Sequence, residues 1–256
     1  MHDSIHPFRR LFRDNFTVHD ITEPLASFDG ESDGQAVRQA MEEAGYELAG
    51  VRQRGVMVGY LVRDELASGP CLQWHHPFTE DVVIDESESL ADLILRLRDR
   101  QRLFVRVFGR PGGIVSRTDL EKPAVRMWLF GMITLMEMRF TSLIDLLPDD
   151  VWQNLLSENR LEKARWLQAE RRKRHSHVRL VECLQFADKA QVIARSPALR
   201  ERTRASSRRE VEQIARKLEQ LRNHLAHAQE ITLTSWDTIV LLAENLDDVL
   251  IGPELG

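Results

Sequence analysis

Short apolar runs and one amphipathic spacing alternate in the first part of the chain. Asp33 is suited to cap a helix from Gly34 to Ala44, and Gly45 is suited to end it. Strands are predicted next, at 46–51 and 56–62. The pattern therefore predicts a helix followed by two strands.

A second copy of this pattern follows, because Gly59–Leu66 aligns with Gly113–Leu120 at an offset of 54 residues. The elements predicted for this copy are a strand at 81–84, a helix capped by Ser87 with Leu90, Leu93, Ile94 and Leu97 on one face, strands at 103–108 and 113–116, and a helix beginning near Arg117. Each unit is thus strand, helix, strand, strand, helix. Self-similarity at a fixed period indicates duplicated units, and since neither would bury its apolar face alone, the two should pack together.

Helical spacing takes over in the second half. Pro123 fits the first turn of a helix that is apolar on most sides and runs to Pro148. Further helices are predicted from Asp149, over 178–194, from the capping box Ser207–Glu210, and over 236–250. The predicted buried face of the Ser207 helix is Val211, Ile214, Leu218, Leu221 and Leu225. The predicted fold class is α+β, with two β-α-β-β-α units followed by an all-α helical bundle.

Composition narrows the class of protein. The 256 residues are 43% apolar and 29% charged, which is typical of soluble proteins with a packed core. The two cysteines form no disulfide framework, and the N-terminus lacks the pattern of a signal peptide. The most apolar stretch, Met127–Met136, is shorter than the ~20 residues that cross a bilayer. We therefore expect a cytoplasmic protein without a membrane partner.

Charge differs between the two halves. Residues 1–122 hold 15 Lys and Arg against 21 Asp and Glu, whereas residues 123–256 hold 20 against 19. The residues predicted to bind RNA are Arg200, Arg202, Arg204, Arg208 and Arg209. Such a split suggests different partners for the two halves. The alternative is that these arginines are solvated helix ends and loops.

The sequence Ser116-Arg117-Thr118-Asp119 stands where the last strand of the second copy meets a helix. A carboxylate there can accept both hydroxyls of a ribose, while a hydroxyl faces a phosphate, although Ser-x-x-Asp is also a helix capping box. With the duplicated units, this motif resembles a tandem pair of cystathionine-β-synthase (CBS) domains over residues 17–122. The resemblance implies a regulatory adenosine nucleotide (AMP, ADP or ATP), bound by Ser116, Arg117 and Asp119. The first copy has Val62 and Glu65 instead, which predicts an empty or altered cleft.

A second motif, Arg222-Asn223-x-x-x-His227, lies late in the Ser207 helix. Asn223 and His227 share a face, and imidazole can move protons near neutral pH. The same spacing occurs at Arg13–His19 and Arg172–His177, so the helical context matters. The motif resembles that of HEPN-superfamily ribonucleases, over residues 123–256. The resemblance implies a homodimer in which His227 acts as general acid or base, Arg222 stabilises phosphoryl charge and Asn223 orients the phosphate or imidazole.

Together these resemblances predict a 1–16 extension, a CBS pair over 17–122 and a HEPN-like domain over 123–256. The predicted function is a nucleotide-regulated endoribonuclease that needs no metal or other cofactor and leaves a 2′,3′-cyclic phosphate and a 5′-hydroxyl. One alternative is a non-catalytic sensor or adaptor that dimerises and binds RNA or a protein. Another is a regulator whose CBS pair binds an adenosylated cofactor or a cyclic dinucleotide.

Overall fold

The computed structural model describes Phe12 and residues 15–174, 177–203, 205 and 207–244. Most of the predicted 1–16 extension, Arg204, and the end of the predicted 236–250 helix lie outside the described residues. The chain divides into two compact units: one spans Arg13–Val125, and Phe12 belongs to the other together with the residues from Arg126 onward. The division after Val125 is close to the predicted boundary after residue 122.

The N-terminal unit is built from strands, two α-helices and 3₁₀ helices. The strands are β1 (Glu23–Pro24), β2 (Ser27–Asp29), β3 (Leu48–Gln53), β4 (Val56–Val62), β5 (Val83–Asp85), β6 (Arg102–Val107) and β7 (Arg110–Ser116). The α-helices are α1 (Gly34–Ala44) and α2 (Leu90–Leu97). The 3₁₀ helices are Val18–Ile21, Arg63–Glu65, Cys71–Trp74 and Arg117–Glu121. The element that closes each predicted unit is thus a short 3₁₀ helix.

The two copies have the same strand pairing. β2 is parallel to β3 and β3 is antiparallel to β4, and β5, β6 and β7 repeat this arrangement. Leu48 pairs with Val62 and Arg102 with Ser116, so the registers differ by the predicted offset. Both hairpins turn through a non-glycine residue and a glycine at positive φ, Arg54-Gly55 and Phe108-Gly109, as two-residue hairpins of this twist require. The predicted duplication is confirmed down to the turns.

Each copy also lends its leading segment to the sheet of the other. β1 pairs with β7, which gives a sheet in the order β1-β7-β6-β5. In the reverse direction Tyr60 on β4 pairs with His76, which follows the 3₁₀ helix Cys71–Trp74. The exchange is one way in which the two copies pack together, as the prediction that neither buries its apolar face alone requires. The sequence pattern missed it because bridging segments this short have no periodicity to detect.

A shared aromatic core lies between the two sheets. Tyr60 on β4 and Phe104 on β6 have ring centroids 4.6 Å apart, and Phe78 meets Phe104 edge-on at 4.9 Å. Leu25 and Val83 are buried in the same cluster. Behind each sheet a helix covers a separate apolar layer, and the four residues predicted for the face of α2 are all buried.

Helix starts match the prediction in the first copy and differ in the second. Asp33 caps α1 and Gly45 ends it with φ of 73°. α2, however, begins after Ser89 rather than Ser87, because the Ser89 hydroxyl accepts the N–H of Asp92 at 3.1 Å. The predicted Ser87 cap is therefore wrong by two residues.

Replacing Asp33 with asparagine should lower the melting temperature at neutral pH, and the loss should shrink in acid. N–H groups of Gly69, Ala36 and Gln35 donate to this carboxylate and hold the pKa of Asp33 below its ordinary value of 3.8. A carboxyl with a depressed folded pKa stabilises the protein above its unfolded pKa, and that stabilisation is lost as pH falls through the folded pKa. Melting scans from about pH 3 to about pH 7 measure the difference.

The matched control for that experiment is Gly45→Ala, which places a side chain on the left-handed residue that ends α1 and removes no group that titrates in acid. Its effect on the melting temperature should be the same at every pH. An Asp33→Asn effect that is equally independent of pH would contradict the prediction.

The C-terminal unit is helical throughout its described residues. Its helices are α3 (Pro123–Ile144), α4 (Asp149–Gln153), α5 (Glu158–Arg172), α6 (Phe186–Arg195), α7 (Pro197–Arg200), α8 (Arg208–Ala226) and α9 (Trp236–Glu244), with a 3₁₀ helix at Leu180–Cys183. The helix predicted from Asp149 is broken, because extended backbone at Ser157 separates α4 from α5. The helix predicted over 178–194 is likewise replaced by the 3₁₀ helix and α6. Gln185 between them has an extended backbone and forms a capping box with Asp188, which starts α6.

Helix α3 has both a buried and an exposed apolar face. Trp128, Leu129 and Ile133 are buried, whereas Met127 is 65% and Phe130 is 49% exposed. The helix is 22 residues long and, by length and composition, apolar enough to cross a membrane, although 44% of its most apolar window is buried. The estimate from the sequence was too short because it counted only the uninterrupted apolar stretch. The core helix of a soluble protein can be equally long and apolar, so the expectation of no membrane partner stays a prediction.

Candidate functional site

The turn after β7 holds two of the predicted nucleotide-binding residues together. The backbone N–H of Ser116 donates to Oδ2 of Asp119 at 2.7 Å, and its hydroxyl donates to the same oxygen at 2.8 Å. Thr118 adds a second hydroxyl, 2.8 Å from that of Ser116. The capping box that the sequence left open as an alternative is therefore formed. It presents a carboxylate and two hydroxyls within one turn.

Lys122 completes this turn and was missed by the sequence analysis. Its ammonium lies 3.0 Å from Oδ1 of Asp119, donates to the carbonyl of Ile21 at 2.7 Å, and pairs with Glu23. Partial burial disfavours the charged amine, but the bonds to Glu23 and Asp119 outweigh it and raise the pKa of Lys122 above its ordinary value. The motif spans 116–119 and Lys122 lies outside it, so no pattern singled it out.

Arg117 contacts the end of α2. Its Nε donates to the carbonyl of Leu97 at 2.8 Å and its Nη2 to that of Arg98 at 2.6 Å. These are carbonyls that the helix itself leaves unsatisfied, and a cation there is favourable. A phosphate contact by Arg117 would compete with these bonds, and the role stays a prediction.

The equivalent turn of the first copy is arranged differently. Glu65, at the position of Asp119, pairs with Nε2 of His76 at 2.6 Å. The His76 ring stacks on Tyr60 with centroids 5.2 Å apart. Val62 stands at the position of Ser116 and has no hydroxyl. The altered chemistry predicted for the first copy is therefore visible in its side chains, and the two turns are not interchangeable.

The second predicted site lies at the end of α8. Asn223 and His227 are exposed, Arg222 is half-buried, and Val211, Leu218 and Leu221 form the buried face as predicted. Ile214 and Leu225, also predicted for that face, are only half-buried, and Ala215 is buried in addition.

His227 is the C-cap residue of α8 and follows the last helical residue, Ala226. Its N–H donates to the carbonyl of Asn223 at 3.0 Å, and Ala228 follows with φ of 52°. Exposure of Asn223 and His227 places both side chains where a ligand can reach them. Their catalytic roles stay predictions.

Two neighbours fix the end of α8. Nδ1 of His224 lies 3.2 Å from the hydroxyls of both Ser235 and Thr234. Arg126 donates to the carbonyls of His224 at 3.1 Å and Gln229 at 3.0 Å. These contacts stabilise the turn that carries His227. Periodicity gives no sign of these contacts, because the His224 pairs cross the loop after α8 and the Arg126 bonds join residues about a hundred positions apart.

The arginines predicted to bind RNA differ in their contacts. Arg200 donates to the carbonyl of Ala194 at 2.6 Å, and Arg208 pairs with Glu212 at 2.8 Å. That bond lowers the pKa of Glu212. Arg202 and Arg209 are exposed, and Arg204 lies outside the described residues. The alternative of solvated helix ends thus fits the exposed Arg202, Arg208 and Arg209 better than half-buried Arg200, and RNA binding stays a prediction.

Half-buried Arg139 lies on α3 near Arg202. Its pKa is lowered, first by burial and then by the charge of Arg202. In the ranges described above, no group of three or more His, Cys, Asp or Glu side chains could hold a metal ion.

No protein-family model matches this chain, and no curated protein matches it. Among solved structures, the CBS domain of the bacterial CNNM/CorC family Mg²⁺ transporter in complex with ATP is 17% identical, with 48% of this chain and 95% of that chain covered and a TM-score of 0.37. CBSX2 in complex with AMP is 17% identical, with 44% and 98% covered and a TM-score of 0.37. A conserved CBS domain protein of unknown function from Thermoplasma acidophilum is 17% identical, with 45% and 75% covered and a TM-score of 0.35.

These likenesses are to CBS domains, the family whose motif the N-terminal half resembles. At TM-scores below 0.5 they carry no argument about a ligand. The CBS-like arrangement of this chain rests instead on its own duplicated topology and on the Ser116–Asp119 turn. None of the three covers more than 48% of the chain, and the HEPN resemblance stays a prediction.

Proposed function

We propose that this protein senses an adenosine nucleotide through a CBS-type pair at residues 17–122 and uses it to regulate a helical, RNA-cutting domain. The observation that carries the first half is the Asp119 carboxylate held beside the Ser116 and Thr118 hydroxyls. A carboxylate accepts hydrogen bonds from vicinal ribose hydroxyls, and the Thr118 hydroxyl can rotate from Ser116 to donate to a phosphate oxygen, while the Ser116 proton stays on Asp119. One nucleotide could use both ends of this turn.

The first copy supplies a reason to expect one nucleotide site rather than two. Its acidic residue, Glu65, is paired with His76. Val62, which stands at the position of Ser116, has no hydroxyl. The duplicated fold therefore offers its complete set of ribose and phosphate groups only at the second turn. A stoichiometry of one nucleotide per chain follows.

Asp119→Asn tests the nucleotide proposal. Removing the charge while keeping the shape should weaken AMP binding at least about tenfold, since hydrogen bonds to charged groups are the stronger ones. Isothermal titration of the full chain with AMP, ADP and ATP measures affinity and stoichiometry. The matched control is Glu65→Gln at the equivalent position of the first copy, which should leave binding within about twofold.

Equal losses in both variants, or no binding by the wild type, would defeat this proposal. S-adenosylmethionine and cyclic dinucleotides belong in the same titration series. A ligand that binds only the native state raises the melting temperature, so preferential stabilisation by one of these compounds would identify a different regulatory ligand.

We further propose that residues 123–256 form a homodimeric, metal-independent endoribonuclease. His227 would transfer the proton of the RNA 2′-hydroxyl, Arg222 would stabilise charge on the phosphoryl oxygens, and Asn223 would orient the phosphate. Support comes from the exposure of Asn223 and His227 on a helix end that Arg126 and His224 hold in place. The nucleotide would regulate cleavage by binding one arrangement of the dimer better than the other.

The alternative function is a non-catalytic adaptor. Exposed apolar side chains on α3, including Met127 and Phe130, suit a protein partner, and Arg202 and Arg209 suit RNA. A purified chain that binds RNA without shortening it, with affinity falling steeply as salt rises, would favour this function.

A further inference from the structure

Both oxygens of the Asp119 carboxylate are occupied. Oδ2 accepts from the N–H and the hydroxyl of Ser116, and Oδ1 faces the ammonium of Lys122 at 3.0 Å. The Asp119 side chain is only 14% exposed, and Lys122 covers its outer oxygen. Oδ1 can accept a second hydrogen bond, but the ammonium of Lys122 lies against it, so a ribose hydroxyl that approaches this oxygen meets Lys122.

Lys122 is held in a way that allows its ammonium to leave Oδ1. Its side chain is 28% exposed, and its two other partners are the Ile21 carbonyl and Glu23. Lysine carries its charge on a flexible four-carbon stem, so the ammonium can move without a change in the backbone. Both remaining partners belong to the segment that the first copy lends to β7.

The first copy has no counterpart to this lysine. The position 54 residues earlier is Ser68, and the carboxylate of Glu65 lies 2.6 Å from Nε2 of His76 instead. The cation thus belongs only to the turn that has Ser116, Thr118 and Asp119, the side chains suited to bind ribose and phosphate.

We propose that Lys122 selects for phosphorylated ligands: its ammonium leaves Asp119 when the ribose binds and pairs with the phosphate of the same nucleotide. This inference rests on the proposed nucleotide site. A nucleoside without phosphate would displace the ammonium and give it no new partner. A nucleotide would offer a charged oxygen beside the Ser116 and Thr118 hydroxyls, so the exchange favours AMP over adenosine.

The charge needed for this exchange is present under all physiological conditions. Hydrogen bonds to Glu23 and Asp119 raise the pKa of Lys122 despite its partial burial. Lys122 consequently stays charged between about pH 6 and about 8, so any change of selectivity in that range should follow the phosphate, whose second pKa is about 6.

The test compares AMP and adenosine in Lys122→Met, a change that keeps the length of the side chain and removes its charge. Titration calorimetry on the full chain should show AMP binding weakened about tenfold or more, because the variant lacks the cation that pairs with phosphate. Adenosine should bind equally or more tightly, because nothing competes for Oδ1 of Asp119. Arg38→Met, which removes an exposed cation paired with Glu42 on α1, is the control and should change neither affinity.

Glu23→Gln is a second variant, and it should change the ratio of AMP to adenosine affinity in the opposite direction. Weakening this anchor frees the ammonium, so AMP should bind more tightly relative to adenosine. If Lys122→Met fails to fold, this variant decides, and an unchanged ratio overturns the inference. In a folded Lys122→Met, an unchanged ratio of AMP to adenosine affinity overturns the inference while nucleotide binding by the wild type upholds the proposed function. A wild type that binds neither compound overturns both.

Discussion

His227→Ala should lower the rate of RNA cleavage by about 10²–10⁴-fold, the range expected for removal of a general acid or base. The side chain is exposed at the end of α8, and its loss removes no buried contact. Folding and dimer formation should therefore be unchanged. Cleavage of a short labelled RNA in the presence of a chelator measures the effect, and light scattering checks the oligomeric state.

His177→Ala is a suitable control, because Arg172–His177 matches the same letters outside α8. It should cut RNA at the wild-type rate. Detection of a 2′,3′-cyclic phosphate would support transfer through the 2′-hydroxyl. Undiminished cleavage by His227→Ala, with contaminating nucleases excluded, would refute the catalytic role, and a monomeric wild type would refute the composite site.

Glu137→Leu should lower the free energy of unfolding by about 3 kcal/mol, because it leaves a charge unpaired in the interior. Nζ of Lys189 lies 2.8 Å from Oε1 of Glu137, and the Lys189 side chain is only 5% exposed. Glu182 also interacts with Lys189, so the loss should fall at the lower end of the range for breaking a buried pair. Urea denaturation measures it.

The double variant Glu137→Leu, Lys189→Met is the control. Replacing both members of a buried pair by apolar residues is often neutral or stabilising, so the double variant should recover most of the loss. Glu162→Leu on α5, an exposed acidic residue, should change stability by less than about 0.5 kcal/mol. A double variant as unstable as Glu137→Leu would show that packing, not the unpaired charge, causes the effect.

Local rules predicted the elements best where a single residue type decides the backbone. Asp33 and Gly45 bound α1 as expected, because a cap and a left-handed glycine act within a few residues. The prediction went wrong at Ser87 and at residues 154–157. Before α2, the N–H groups of Val18 and His19 donate to the carbonyls of Glu88 and Glu86, and such distant bonds are not visible in the sequence. At Ser157 the backbone is extended without a side-chain cap, so no capping pattern marked the break.

The site was predicted in part for the same reason. Ser116 and Asp119 are three residues apart and form a capping box, so their contact could be predicted from the spacing alone. Lys122 meets Glu23 and the Ile21 carbonyl across about a hundred residues, through the exchange of β1 between the copies. Such a contact has no sequence spacing to reveal it.

By itself, the sequence determined the duplicated strand and helix pattern and the helical character of the second half, because periodicity and capping are local. Only the tertiary structure decided that each copy completes the other's sheet and that α3 keeps an exposed apolar face. It also decided that Lys122 pairs with Asp119 and that His76 pairs with Glu65. These are pairings between distant residues, and their energies depend on which surfaces the folded chain brings together rather than on the spacing of letters along it.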